Sequence, residues 1–287
     1  MDQVGCEYCN TFKERAAVRW RRFVVRAISE VSSFGRVFSK PRKGFRVLMY
    51  HSIGTHPGGA REGIFSIIPE RFEQHMASLA QYREASIVKF SNGLKHEGAL
   101  KIAVTFDDGY KDNLYVSAPI LLKYKIPFTV FVTTSFVEWS KENYLTPAEL
   151  RELSELPNAT IGSHGMTHIS LTECDDRQLK NELILSKKYL EDLIGKPVNM
   201  ISYPFGAVDR RVRDNAEKAG YLLAACSRFG INDISCDPFL LCRTEITGND
   251  SVRVFQQKLY GDWDWYRWRR KDPALIYCSK IGSVKKG

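Results

Sequence analysis

A chain of 287 residues, 44% hydrophobic and 12% aromatic, is long enough for one large domain or two small ones, with a sizeable core. No apolar run approaches the roughly 18 to 20 residues that span a bilayer, and the first residues lack the apolar stretch of a secretory signal, so an intracellular chain is expected. The net charge of +9 belongs to the ends: residues 1–46 hold 11 Lys and Arg against 4 Asp and Glu, residues 262–287 hold 7 against 3, and residues 47–261 hold 24 against 26. The nearly neutral middle gives no reason to expect a polyanionic partner, and nucleic acid is not expected.

Residues 1–44 read as a basic arm. From Thr11 to Phe38, Ala16, Trp20, Phe23, Val24, Ala27, Ile28, Val31, Phe34 and Phe38 recur at steps of three and four, and Arg15, Arg19, Arg22 and Arg26 gather on another side. This is a basic amphipathic helix, ended by SKPRKG at 39–44. Its apolar stripe either packs on the main domain or lies on an anionic membrane surface. Cys6 and Cys9 form a lone CxxC, half a zinc site or a redox pair at most. Seven scattered cysteines in a chain of this length are no disulfide framework and fit a reduced cytosol.

Residues 45–261 alternate short β-rich runs with helical segments. Strands are predicted at 45–50, 85–90, 100–106, 127–133, 159–163, 198–204 and 221–226, and helices at 69–82, 117–124, 147–156, 176–195 and 210–220. A further β-rich run, 240–246, is expected to bury Arg243 and Glu245 on one side. Repeated alternation of this kind predicts a parallel sheet, and seven or so units suggest an α/β barrel. In the tail, 262–287, Trp263, Trp265, Tyr266 and Trp268 alternate with arginines, as interfacial anchors do.

Three loops carry candidate chemistry. KIAVTFDDGY (101–110) runs a buried strand into Asp107 and Asp108, and Gly109 permits a sharp turn. ATIGSHGMTH (159–168) ends a strand at His164, with His168 four residues on and Gly162 and Gly165 flanking. Two histidines and one carboxylate with an open fourth position form a catalytic zinc set. ISYPFG (201–206) is a strand leaving into an aromatic and glycine turn, where a backbone N–H near Phe205, beside Tyr203, is placed to face an oxyanion. A buried charge needs a partner, and Arg243 is the candidate to hold Asp107 ionised.

In this order TFDDGY, SHGMTH and YPFG resemble the first three motifs of the polysaccharide deacetylase family, the NodB-homology carbohydrate esterases, over about residues 45–247. LMYHSIG (48–54) and PFGAVD are similar to its poly-N-acetylglucosamine deacetylase branch. The resemblance implies a distorted (β/α)7 barrel and a divalent metal, zinc first, with cobalt, nickel or another divalent ion as alternatives. It further implies Asp107 as general base and Asp108, His164 and His168 as metal ligands. Two positions depart from the family pattern: Ser202 stands where the third motif usually has an arginine, for which Arg243 is the candidate substitute, and no histidine follows His168. His51, at the end of the first strand, is the candidate general acid.

The expectation is therefore a metal-dependent hydrolase that removes the N-acetyl group from a sugar in a glycan, glycolipid or nucleotide-linked intermediate. It would be cytoplasmic, with peripheral contact to the inner membrane face through residues 11–38 and 262–272. Removal of another acyl or formyl group, O-deacetylation, and a catalytically silent carbohydrate-binding protein are the alternatives.

Overall fold

The computed structural model of the protein describes residues 43–55, 62–95 and 98–268, together with residue 30. Apart from that residue, the predicted arm helix, the Cys6/Cys9 pair and the tail beyond residue 268 lie outside the described residues.

The strands are β1 (Phe45–Tyr50), β2 (Ser52–Ile53), β3 (Ser66–Ile67), β4 (Ala85–Ile87), β5 (Leu100–Phe106), β6 (Phe128–Val132), β7 (Ala159–Ser163), β8 (Met200–Ser202), β9 (Leu223–Ala225) and β10 (Thr244–Glu245). Every ladder among them is parallel. Seven strands curl in the order β10-β1-β5-β6-β7-β8-β9, while β4 pairs only with the start of β5. An isolated bridge from Ala225 to Leu241 links the last strand back toward the first. The wall is that of a distorted (β/α)7 barrel: the alternation predicts the parallel barrel, and the family resemblance implies its seven-unit, distorted form.

Side-chain alternation divides the core in two. Inward residues of successive strands, Phe45, Val47, Ala103, Phe131, Met200, Ala225 and Leu241, fill the barrel. Their neighbours, such as Leu48, Ile102, Val104, Val130 and Ile201, face the surrounding helices in a larger cluster. Gly162 on β7 belongs to this arrangement, since a Cβ there would stand 2.5 Å from the Phe131 ring. One step above the apolar layer the inward positions turn polar, at Thr105, Ser202 and Arg243.

The predicted elements are present with trimmed ends. The strand predicted at 85–90 stops at Ile87 because β5 offers β4 only Leu100 to Ile102, and Phe90 enters a short turn. The helix predicted at 117–124 is preceded by a wider turn over Asn113–Ser117, and that predicted at 176–195 runs Asp176–Ile194. The latter opens on an Asp175/Gln178 capping box and closes at Gly195 with a left-handed φ of 67°. The short helices Glu62–Phe65, Thr134–Glu138 and Val252–Tyr260 are not among the predicted ones. Among the described residues no helix is long and apolar enough to cross a membrane.

Residues of the tail's first turn contact the domain: Asp264 makes a double hydrogen bond to the fully buried Arg46, at 2.8 and 2.9 Å, and Tyr266 sets its ring edge on Phe229. Trp263 donates to Gln257 at 3.3 Å. The first residues of the aromatic and basic tail thus contact the domain.

The packing of helix Val252–Tyr260 on helix Pro69–Ala80 buries His75, whose ring stacks on Phe255 at 4.3 Å. Burial pushes the imidazole down to about 4, against the pull of Asp250. The unfolded chain therefore binds more protons than the folded one between about pH 6.5 and 4, and stability rises with pH across that window. The contribution, on the order of 3 kcal/mol, is complete above pH 6.5 and lost as pH falls toward 4. Urea unfolding of the wild type and of His75→Leu at pH 7 and pH 4.5 checks this: the variant should show a distinctly smaller loss of stability over that interval.

Candidate active site

Beyond the C-terminal end of β5, Asp107 continues the inward row Ala103 and Thr105. It is nearly fully buried, 3% exposed. Arg243 grips it with both arms, Nη1 to Oδ1 and Nη2 to Oδ2, each at 2.7 Å. Ser202 joins the pair, accepting from Arg243 Nη2 at 2.7 Å and donating to Asp107 Oδ2 at 3.2 Å. Arg243 Nε is anchored on Cys226 O at 3.0 Å, so the guanidinium is fixed from both sides. Burial raises the Asp107 carboxyl, but the Arg243 charge, aided by His164, outweighs it and holds the group below its ordinary value. Asp107 is thus a carboxylate throughout the neutral range.

Asp108 turns the other way because its backbone is left-handed, φ 74°. His164 follows β7, its N–H bonded to Val132 O at 2.8 Å, and His168 ends the loop with φ 59°. Asp108 Oδ1 lies 3.1 Å from His168 Nε2 and 3.4 Å from His164 Nε2, yet this buried oxygen accepts no well-directed hydrogen bond. One ligand atom from each of Asp108, His164 and His168 falls within 4.8 Å of the other two.

The electrostatics suit a cation. Burial pushes His164 down to about 4, so its ring is neutral, and Nδ1, 2.8 Å from Ser202 O, carries the proton there and leaves the Nε2 lone pair toward Asp108. Burial also works against His168, but its contact with Asp108 prevails and raises it. Burial would raise Asp108, yet His168, His51 and His164 hold it well below the carboxylate range. A buried, unpaired carboxylate oxygen beside two imidazoles is the donor set of a divalent metal, and these residues fit one.

The other sequence candidates lie as follows. Phe205, φ 58° and 61% exposed, stands its ring on His168 at 4.7 Å. Gly206 and Ala207 use their N–H groups to close the turn onto Tyr203 O and Pro204 O, and that of Phe205 lies outside these bonds. Tyr203 is not brought to the site: its fully buried side chain belongs to the outer core and donates to Phe239 O at 3.1 Å, and its N–H is spent on Ala225 O. The reason is β8 itself, on which Ser202 faces inward and Tyr203 therefore outward. His51 is half-buried at the end of β1, its ring 4.5 Å from Phe65 and its buried Nδ1 without a hydrogen bond. Glu245, expected to be buried beside Arg243, is only half-buried, because it is the last residue of β10. Sequence reasoning noted Ser202 only as a departure; its bridge between Arg243 and Asp107 depends on β8 and β10 meeting across the barrel, for which no local pattern exists. A groove of about 610 Å³ opens beside His168 and Phe205, lined also by Ile169, Ser170, Thr172, Glu173 and Ala207.

Paired carboxylates and histidines at the mouth of a parallel barrel define a hydrolase-type centre. Residues 95–224 match the model of the polysaccharide deacetylase family, so this stretch is a polysaccharide deacetylase domain. It is 28% identical over 224 residues to the YxkH protein of Bacillus subtilis (strain 168), covering 75% of this chain and 76% of that protein. It is 32% identical over 122 residues to a peptidoglycan-N-acetylglucosamine deacetylase of Bacillus cereus, covering 42% of this chain and 53% of that one. The fold superimposes on the Streptococcus pyogenes deacetylase PplD, solved in complex with acetate, with a TM-score of 0.67 at 24% identity over 76% of this chain and 99% of that chain.

If Arg243 compensates Asp107, Arg243→Met should leave a charge buried without a partner and cost about 3 to 5 kcal/mol in urea unfolding. Adding Asp107→Asn to that variant should recover part of the loss, since the buried charge is then gone. A single variant less than about 1 kcal/mol below wild type would contradict the pairing.

Proposed function

We propose that this carbohydrate deacetylase is a divalent-metal-dependent enzyme that removes the N-acetyl group from an amino sugar. The observation that carries the reading is the division of labour between adjacent carboxylates: Asp107 is locked to Arg243 and Ser202, while Asp108 offers an unpaired oxygen beside two imidazoles. Asp108, His164 and His168 would hold the ion, zinc foremost. When bound there, a divalent ion supplies Lewis acidity toward water and toward an acetamide carbonyl.

Asp107 takes the proton of the attacking water. The arginine fork and the Ser202 hydroxyl together take both lone pairs of Oδ2 and one of Oδ1, and the remaining Oδ1 lone pair is open to a proton. A carboxylate held this firmly ionised is a weak base, which suits water already made acidic. As the water oxygen bonds to the carbonyl carbon, charge collects on the carbonyl oxygen, and the Phe205 N–H is the protein donor placed to meet it. The carbon–nitrogen bond then breaks, acetate leaves, and the amine takes a proton. His51 is our candidate donor for that proton, since its field already reaches both aspartates from the end of β1.

The groove beside Phe205 offers an exposed aromatic ring together with hydroxyl groups and a carboxylate, a lining suited to a sugar. The Bacillus cereus relative, named for N-acetylglucosamine in peptidoglycan, supports the same sugar type here. The basic residues of the first 46 positions support a substrate carrier at an anionic membrane surface, on the cytoplasmic side.

Asp107→Asn should fold as wild type but release acetate from N-acetylglucosamine oligomers roughly two to three orders of magnitude more slowly. Chelation should abolish release and a divalent ion restore it; turnover indifferent to both would remove the metal from the mechanism. Flotation with vesicles containing anionic lipid, for the full chain and for one lacking residues 1–42, tests the membrane placement: binding should fall on truncation.

A further inference from the structure

Between the two histidines the chain makes a tight loop whose backbone is pinned by a single acid from elsewhere in the sequence. Glu182, on the buried face of helix Asp176–Ile194, is 5% exposed. Its Oε2 accepts from the N–H groups of Met166, at 2.7 Å, and Thr167, at 3.0 Å, and its Oε1 accepts from the Thr167 hydroxyl. The three donors lie between His164 and His168 and span little more than one residue. Gly165, φ 77°, is part of the same construction, because a Cβ there would stand 3.0 Å from Glu182 Oε2.

Other contacts complete the grip on the loop. Thr134 and Ser135 donate backbone N–H groups to Gly165 O and Met166 O, and Gly165 N–H goes to Ser163 Oγ, itself bonded to Ser186 on the same helix as Glu182. The result is a His168 whose backbone stays left-handed, a conformation that costs about 1 to 3 kcal/mol for a non-glycine residue and persists only when its surroundings enforce it. Among the described residues Glu182 forms no salt bridge, and the hydrogen bonds to its carboxylate come from this loop alone.

We infer that Glu182 is a positioning residue for the metal centre: its buried carboxylate holds the 165–167 segment so that His168 Nε2 stands beside Asp108, and so sets the affinity for the divalent ion. This rests on the metal reading proposed above. A glutamine of the same shape holds the loop more weakly: its oxygen can still accept from both N–H groups, but its amide nitrogen obliges the Thr167 hydroxyl to accept instead of donate, and the charge that strengthens all three bonds is lost. Groups that orient a ligand in this indirect way typically change metal affinity by about 10- to 100-fold when removed.

The test is a titration of the metal-stripped full chain with Zn²⁺ and Co²⁺, read by calorimetry and by the visible absorption of cobalt, with unfolding followed in parallel. Glu182→Gln should bind either ion roughly 10- to 100-fold more weakly and alter the cobalt spectrum. Thr167→Val, which removes one donor and serves should Glu182→Gln not fold, should weaken binding several-fold. Leu190→Ala, a buried change on the same helix away from the loop, should lower stability and leave affinity unchanged. Glu182→Gln or, in its place, Thr167→Val binding as tightly as wild type overturns the inference, as does Leu190→Ala weakening binding to the same degree. A wild-type chain that takes up neither ion overturns the metal reading itself, and this inference with it.

Discussion

The site depends on one buried pair, Arg243 against Asp107, made between residues 136 apart in sequence and both almost wholly shielded from water. Two charges leave water at considerable cost, and attraction offsets that cost only where the remaining hydrogen-bond capacity is also met. Ser202 and Cys226 O meet it here. Arg243 immediately precedes β10 and Asp107 follows β5, so the pair reaches over β1, and Ser202 on β8, far along the strand order, completes it only when the sheet has curled. The full setting of Asp107 and the curling of the barrel are therefore a single requirement.

That pair explains how adjacent carboxylates can have opposite surroundings. Asp107 has its counter-charge in the protein, in a guanidinium that cannot be deprotonated. Asp108 has no such partner and faces two imidazoles, one neutral by burial, with an oxygen left without a directed hydrogen bond. Two groups of identical chemistry are set to different tasks by what surrounds them. The motif pattern that the sequence resembles would put an arginine where this chain has Ser202. Here the guanidinium arrives from the far strand, and the small serine leaves room for it while still binding both partners.

Three of the six left-handed non-glycine residues among the described residues stand at the same place. Asp108, His168 and Phe205 all have left-handed φ values, though none is glycine. Each sits just after a barrel strand, where the chain must reverse before entering its helix, and where a side chain is turned from the strand direction toward the mouth. Such conformations persist because neighbours hold them, and the Glu182 contacts show how this is done for one of the three.

The sequence by itself determined the class of fold, the residues at the mouth and the charge at the ends. Alternating apolar runs and helical periods need only local spacing to be read, and the runs ending in Asp107, Asp108 and His164 place those groups at strand ends whatever the tertiary detail. Strand ends were less legible because pairing partners decide them, as β5 does for β4. Tyr203 was misplaced because a turn does not show which of its residues faces inward until β8 is seen to present Ser202 to the barrel. The contacts of Trp263 and Tyr266 with Gln257 and Phe229 were not legible either, because aromatic and charged residues in alternation do not show which neighbours they meet. Tertiary structure alone decided the Arg243 fork, the Ser202 bridge and the Glu182 anchor. Each is a contact between residues far apart in the chain, and the closure of the sheet, not the local sequence, brings them within hydrogen-bond distance.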